Sequence, residues 1–191
     1  MDIILPTKIY TIYNFFEKTK TVGGINPFKD YKSDNFAYKN ISIKIAKNIS
    51  NMNFYQVDFI INKKIQPSYV IQYISNPDLR TLYSDGMLSY KQLSKDNHKS
   101  IEEEHYNNNK NTFNCILSKF MFLTYVDIEN KSISSSKYYS SYKILNNNLD
   151  YVLRFETVLN QLDIDQEVDL DKYIKMIGNI IKAIYDKFKI N

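Results

Sequence analysis

From Asn40 the run NISIKIAKNI sets Ile41, Ile43 and Ile45 against polar neighbours, the two-residue period of a half-buried strand. FYQVDFII (54–61) and SYVIQYIS (68–75) follow, both rich in β-branched and aromatic residues and separated by NKKIQP. Together these runs predict an antiparallel meander with a hairpin loop around Lys63 and Lys64. Two further runs read as strands. FMFLTYVDI (120–128) is a buried one, and SISSSKYYSSYKIL (132–145) is longer, with Tyr138, Ser140, Tyr142 and Ile144 on one side.

The period changes at both ends of the chain. After Pro6, TKIYTIYNFFEK brings Ile9, Ile12, Tyr13 and Phe16 to one face at helical spacing, predicting a short amphipathic helix that ends near Gly23 and Gly24. SNPDLRTLYSDG reads as a turn and a short helical piece closing at Gly86. Near the C-terminus, Asn148 can cap a helix carrying Leu149, Val152, Phe155, Leu159 and Leu162. A second helix carries Leu170, Ile174, Ile177, Ile181, Ile184 and Phe188. A connector of about six residues makes these a helical hairpin over roughly 148–189. A polar tract at 94–112, with Ile101 its only aliphatic residue before Thr112, reads as an insertion. The expected fold is one α+β domain over 1–191: a short N-terminal helix, an antiparallel sheet of about five strands, and the C-terminal helical hairpin packed on it.

Composition adds the genetic background. The chain has 22 Asn and 17 Tyr against 4 Gly, 4 Pro and no Trp, a bias toward A/T-rich codons shared by phages, large DNA viruses and some cellular genomes. The net charge is only +4, and Arg80 and Arg154 are the only arginines, so the bidentate phosphate grip that favours Arg is poorly supplied. Cys115 stands alone, which excludes an intrachain disulfide and a four-cysteine zinc site. MDIILPTKIY does not resemble a secretory signal, and CILSKFMFLTYV is too short and too interrupted to span a bilayer. The expectation is a soluble, non-secreted protein of a virion or a host cytoplasm.

Candidate chemistry is sparse. LDIDQEVDLDKY (162–173) alternates five acids, but as a calcium loop starting at Asp163 it has Val168 where the turn glycine belongs and Ile174 in place of the bidentate Glu. Acids ahead of a helix that ends in Lys182, Lys187 and Lys189 complement the helix dipole instead. His98, Glu102 and His105 would share one face if their segment were helical, a ligand set known from iron and zinc sites, but the surrounding polar sequence supplies no second shell. Asp58, on the polar side of its strand, is expected in solvent, and Cys115 reads as a small buried hydrophobe. Gly23 and Gly24 lack the spacing of a phosphate loop, and no hydrolase, zinc-protease or dinucleotide fingerprint occurs.

These readings converge on a non-enzymatic structural or assembly component of a phage or virus particle, or of a similar complex. It would use no cofactor or metal and would act through contacts with protein subunits of the same assembly, as an oligomer. The surface expected to carry those contacts is Tyr-rich: Tyr69 and Tyr73 on one strand face, Tyr138 and Tyr142 on another, with Lys63, Lys64, Lys137 and Lys143 nearby. The alternative is a single-strand or RNA-binding module using the same Tyr/Lys face for base stacking. No membrane partner is expected.

Overall fold

The computed structural model describes residues 5–18, 29–31, 41–49, 52–61, 65–82, 86–107, 110–126, 137–146, 151–160 and 166–189. The elements in chain order are α1 (Thr7–Lys18), β1 (Lys29–Tyr31), β2 (Ile41–Ile49), β3 (Met52–Ile61), α2 (Pro67–Ile74), a 3₁₀ turn (Pro77–Leu82), β4 (Ser89–Asp96), β5 (Lys99–His105), β6 (Lys110–Leu117), β7 (Met121–Tyr125), β8 (Lys137–Asn146), β9 (Tyr151–Asn160) and α3 (Gln166–Phe188). Among the described residues nine strands form one antiparallel sheet in the order β1-β2-β3-β9-β8-β7-β6-β5-β4. After β3 the chain crosses through α2, restarts at the far edge with β4, and returns strand by strand until β9 pairs with β3.

Period-2 patterning sorts side chains onto two faces. Tyr55, Val57, Phe59, Phe113, Phe122, Tyr142 and Phe155 point inward and form one core with Val70, Ile71 and Ile74 of α2 and Ile177, Ile180 and Ile184 of α3. Phe54, Ile116, Leu123, Tyr139 and Val158 point outward and pack on Ile9, Ile12 and Phe16 of α1. Covering both faces explains why the central strands read as nearly continuous apolar runs.

The α+β class and the N-terminal helix of the sequence reading hold, as do the strands in 40–49, 54–61 and 120–128. The sheet has nine strands rather than five, and three assignments change. SYVIQYIS is helix: Pro67 occupies the first turn, Gln66 before it is extended (φ −68°, ψ 127°), and Val70, Ile71 and Ile74 bury at helical spacing. The segment carrying Val152 and Phe155 is strand β9, not the first arm of a helical hairpin. Hydrogen-bonded partners on both sides and β-branched or aromatic residues outweigh its helical stripe. The polar tract at 94–112 is no loose insertion but the β4–β5–β6 edge of the sheet, whose hydrophilic composition suits strands open to solvent. Asn97, at a left-handed φ of 47°, makes the two-residue turn between β4 and β5. The second predicted helix is present as α3, and its start at Gln166 falls within the acidic stretch. Lys63, Lys64, Gly23, Gly24, Asp163 and Asp165 lie outside the described residues.

Candidate functional site

The inner core fills the space between α3 and the middle of the sheet, but not the end where the β4–β5 turn, the β6–β7 turn, α2 and the last turn of α3 meet. There a cavity of about 580 Å³ remains. Tyr73, Leu117, Phe122 and Phe188 supply its apolar wall, and Tyr73 and Phe188 meet edge to face at 5.8 Å.

Its polar wall is built on β4 and β5, whose register aims Tyr90, Gln92, Glu102 and Glu104 at the inner face. Glu102 is buried, accepting hydrogen bonds from the Tyr90 hydroxyl, from Ser100 Oγ at 2.9 Å and from Gln92 Nε2 at 3.4 Å. Behind it Arg80, buried on the 3₁₀ turn, has its guanidinium carbon 5.0 Å from the ring centre of Phe122, 5.3 Å from that of Tyr90 and 5.4 Å from that of Tyr142. Its Nη1 donates to the Tyr142 hydroxyl at 3.4 Å. Burial opposes the charge on Arg80, but Tyr90, Tyr142 and Glu104 outweigh it and keep the guanidinium protonated. Burial, reinforced by Glu102, pushes the Tyr90 phenol and the Cys115 thiol upward, so both stay protonated and Cys115 offers no thiolate at neutral pH.

The outer face holds a second polar cluster. Arg154 clasps Asp58 through two hydrogen bonds of 2.7 Å, and Lys143 reaches Glu156 at 2.6 Å and Glu17 of α1 at 2.8 Å. Burial disfavours the charge on Lys143, yet the two glutamates hold its ammonium above the ordinary value. Asp58, expected in solvent, is half-buried and ion-paired.

The residues singled out from sequence are redistributed accordingly. His98 is exposed in the β4–β5 turn and lines the cavity mouth, while His105 ends β5 seven residues on, roughly 20 Å away at the strand rise. Strand geometry therefore separates the two histidines that a helix would have joined, and no group of three His, Cys, Asp or Glu among the described residues could hold a metal ion. Among the described residues the Tyr/Lys face does not form. Tyr69 and Tyr73 sit on α2, Tyr142 is buried against Phe122 and Phe155, Lys143 is buried under α1, and the side chains of Tyr138 and Lys137 lie outside the described residues. Sequence reading missed Arg80, Tyr90, Gln92 and Ser100. The available signal was the rarity of arginine in a lysine-dominated chain, because both arginines proved committed to internal partners.

No family model and no curated protein matches the chain. Solved structures do. The lipid transfer and protein localization domain of human StarD13 aligns with a TM-score of 0.53 at 13% identity, over 93% of this chain and 98% of its own. Human STARD10 aligns with a TM-score of 0.60 at 7% identity, over 98% and 84%. A STAR-related lipid transfer protein from Xanthomonas axonopodis aligns with a TM-score of 0.58 at 6% identity, over 86% and 99%. At these identities the likeness establishes the fold, a helix-grip arrangement of the START type. It overturns the expectation of a phage or virus assembly component. The fold is one shared with domains described as lipid-transfer proteins, Tyr142 and Lys143 of the expected assembly surface are buried rather than presented to partners, and a virion location loses its support. The described residues do not gather the Tyr/Lys face on which the nucleic-acid alternative rested. Among the described residues no helix is long and apolar enough to cross a membrane.

Proposed function

We propose that this chain is a non-enzymatic binding domain for a small, largely apolar molecule with one polar end. The cavity carries the reading: about 580 Å³ falls within the range of roughly 300–1,000 Å³ typical of small-ligand sites, with an apolar wall and a few convergent polar groups. Tyr73, Leu117, Phe122 and Phe188 would take the apolar body. Glu102, held in place by Tyr90, Gln92 and Ser100, would accept a hydrogen bond from a hydroxyl or amine. The lipid-transfer descriptions of the StarD13 domain and the Xanthomonas protein support a lipid-like ligand. A binding rather than catalytic role is further supported by the Cys115 thiol near Glu102, which is held protonated and so offers no nucleophilic thiolate.

The test is displacement of a fluorescent fatty-acid probe from delipidated protein, followed by the Gln72→Trp variant. Gln72 is exposed on α2 and borders the cavity, so an indole there obstructs the mouth without disturbing the core. Affinity is expected to fall by at least about tenfold, ~1.4 kcal/mol, at unchanged stability. Probe binding that ignores Gln72→Trp, or no binding of any lipid-like probe, would sink the reading.

A further inference from the structure

The rim of the cavity carries a second pattern. Tyr69, Lys95, His98, Lys99 and Lys187 all border the cavity, contributed by α2, by the β4–β5 turn and by the end of α3. The backbone N–H of Leu117 donates to the carbonyl of His98 at 2.8 Å, which brings the β6–β7 turn against this rim. That turn presents Phe120, 48% exposed, with Lys119 Nζ 5.3 Å from its ring centre, and across the mouth Tyr69 is 55% exposed. A single exposed aromatic needs no explanation. Here one borders the opening and the other stands on the adjoining β6–β7 turn, among four exposed lysines, none of which is ion-paired among the described residues. Asp96 in the same turn offsets only part of that charge.

Aromatic rings with lysines beside them suit the boundary between headgroups and acyl chains, where the ring enters the apolar layer and the ammonium stays with phosphates. We infer that this rim docks on the surface of a lipid bilayer carrying anionic lipids, turning the cavity mouth toward the membrane. The surface differs from a nucleic-acid grip in two respects. Both arginines are committed inside the protein, leaving no bidentate phosphate donor on the rim, and Phe120 projects from a turn rather than lying on a flat stacking platform. A bilayer partner runs against the sequence reading, which expected none. The inference goes beyond the ligand reading and can fail without it.

Co-sedimentation of the full chain with two vesicle preparations tests it: pure phosphatidylcholine, and phosphatidylcholine with about one third phosphatidylserine. Binding to the anionic vesicles is expected to exceed binding to neutral ones by at least about tenfold and to vanish at high salt. Replacing Lys95, Lys99, Lys119 or Lys187 by Gln should each weaken it about fivefold. Phe120→Ala should weaken it about tenfold with no change of charge. Equal binding to both vesicles would overturn the inference. So would loss of all vesicle binding while the fatty-acid probe still enters the cavity, an outcome that leaves the ligand reading standing. Salt-sensitive binding to a single-stranded oligonucleotide as tight as to vesicles, with Phe120→Ala silent, would make the rim a general polyanion surface and overturn it as well.

Discussion

The sheet carries a buried charge cluster on each face, built from the same residue types but differently placed. On the outer face Lys143, Glu156 and Glu17 are joined at 2.6–2.8 Å, with Glu156 fully buried and α1 laid over the group. On the inner face Arg80 is clasped by three aromatic rings, and Glu102 uses both carboxylate oxygens for neighbouring side chains while bordering a cavity. Burial of charge alone therefore does not mark a site. The outer cluster is closed by its own helix and fixes how α1 seats, whereas the inner one faces open space a ligand can enter.

The largest expected effect breaks the outer cluster. Lys143→Met leaves Glu156 in the interior without its counter-charge, and removing one partner of such a pair typically costs about 3–5 kcal/mol. Urea unfolding should show that loss, while probe affinity per folded molecule stays unchanged. A cost below about 1 kcal/mol would mean the pair behaves like a solvated surface one. Glu102→Gln inverts the pattern. The amide keeps the shape and can still accept from Tyr90 or Ser100, so stability should fall by only ~1–2 kcal/mol, through weaker hydrogen bonds. Ligand affinity should shift by about tenfold in the same variant. If Lys143→Met changes affinity as much as Glu102→Gln does, the contrast between scaffold and site is wrong.

The legible parts of the chain were those where one periodicity dominates. Ile9, Ile12 and Phe16 announce α1, and Ile177 and Ile184 announce α3, because each helix covers the sheet with a single stripe. Segment 151–160 misled because β9 is buried on both faces, so Val152, Phe155 and Leu159 also satisfy a helical template. Segment 68–75 misled in the opposite direction, since β-branched residues at 70, 71 and 74 favour strand by propensity while Pro67 and the crossover from β3 to the far edge impose a helix. The cavity could not be read from sequence. Its wall draws on α2, β4, β5, β6, β7 and α3, and only the return of β9 to β3 brings those segments together. Lys143 shows the same limit, because its partner Glu17 is 126 residues away.

The smallest expected effect concerns a polar group that, unlike Glu102, lacks any support. Ser140 is buried at the centre of the sheet, paired across β7 and β9 with Thr124 and Thr157. Thr157 donates its hydroxyl to the carbonyl of Tyr139 at 2.8 Å, and Thr124 reaches the carbonyl of Ser140 at 3.5 Å, whereas Ser140 Oγ has no partner among the described residues. A buried hydroxyl without a hydrogen bond costs free energy that alanine avoids, so Ser140→Ala should leave stability unchanged or raise it by up to about 1 kcal/mol. Thermal and urea unfolding of that variant measure it directly. A loss of more than about 1 kcal/mol would mean that Ser140 satisfies its hydroxyl in the folded state, as Glu102 does with its carboxylate. The inner face would then hold a second supported polar position, next to the packed core rather than the cavity, and the line drawn between a sealed interior and an open site would have to move.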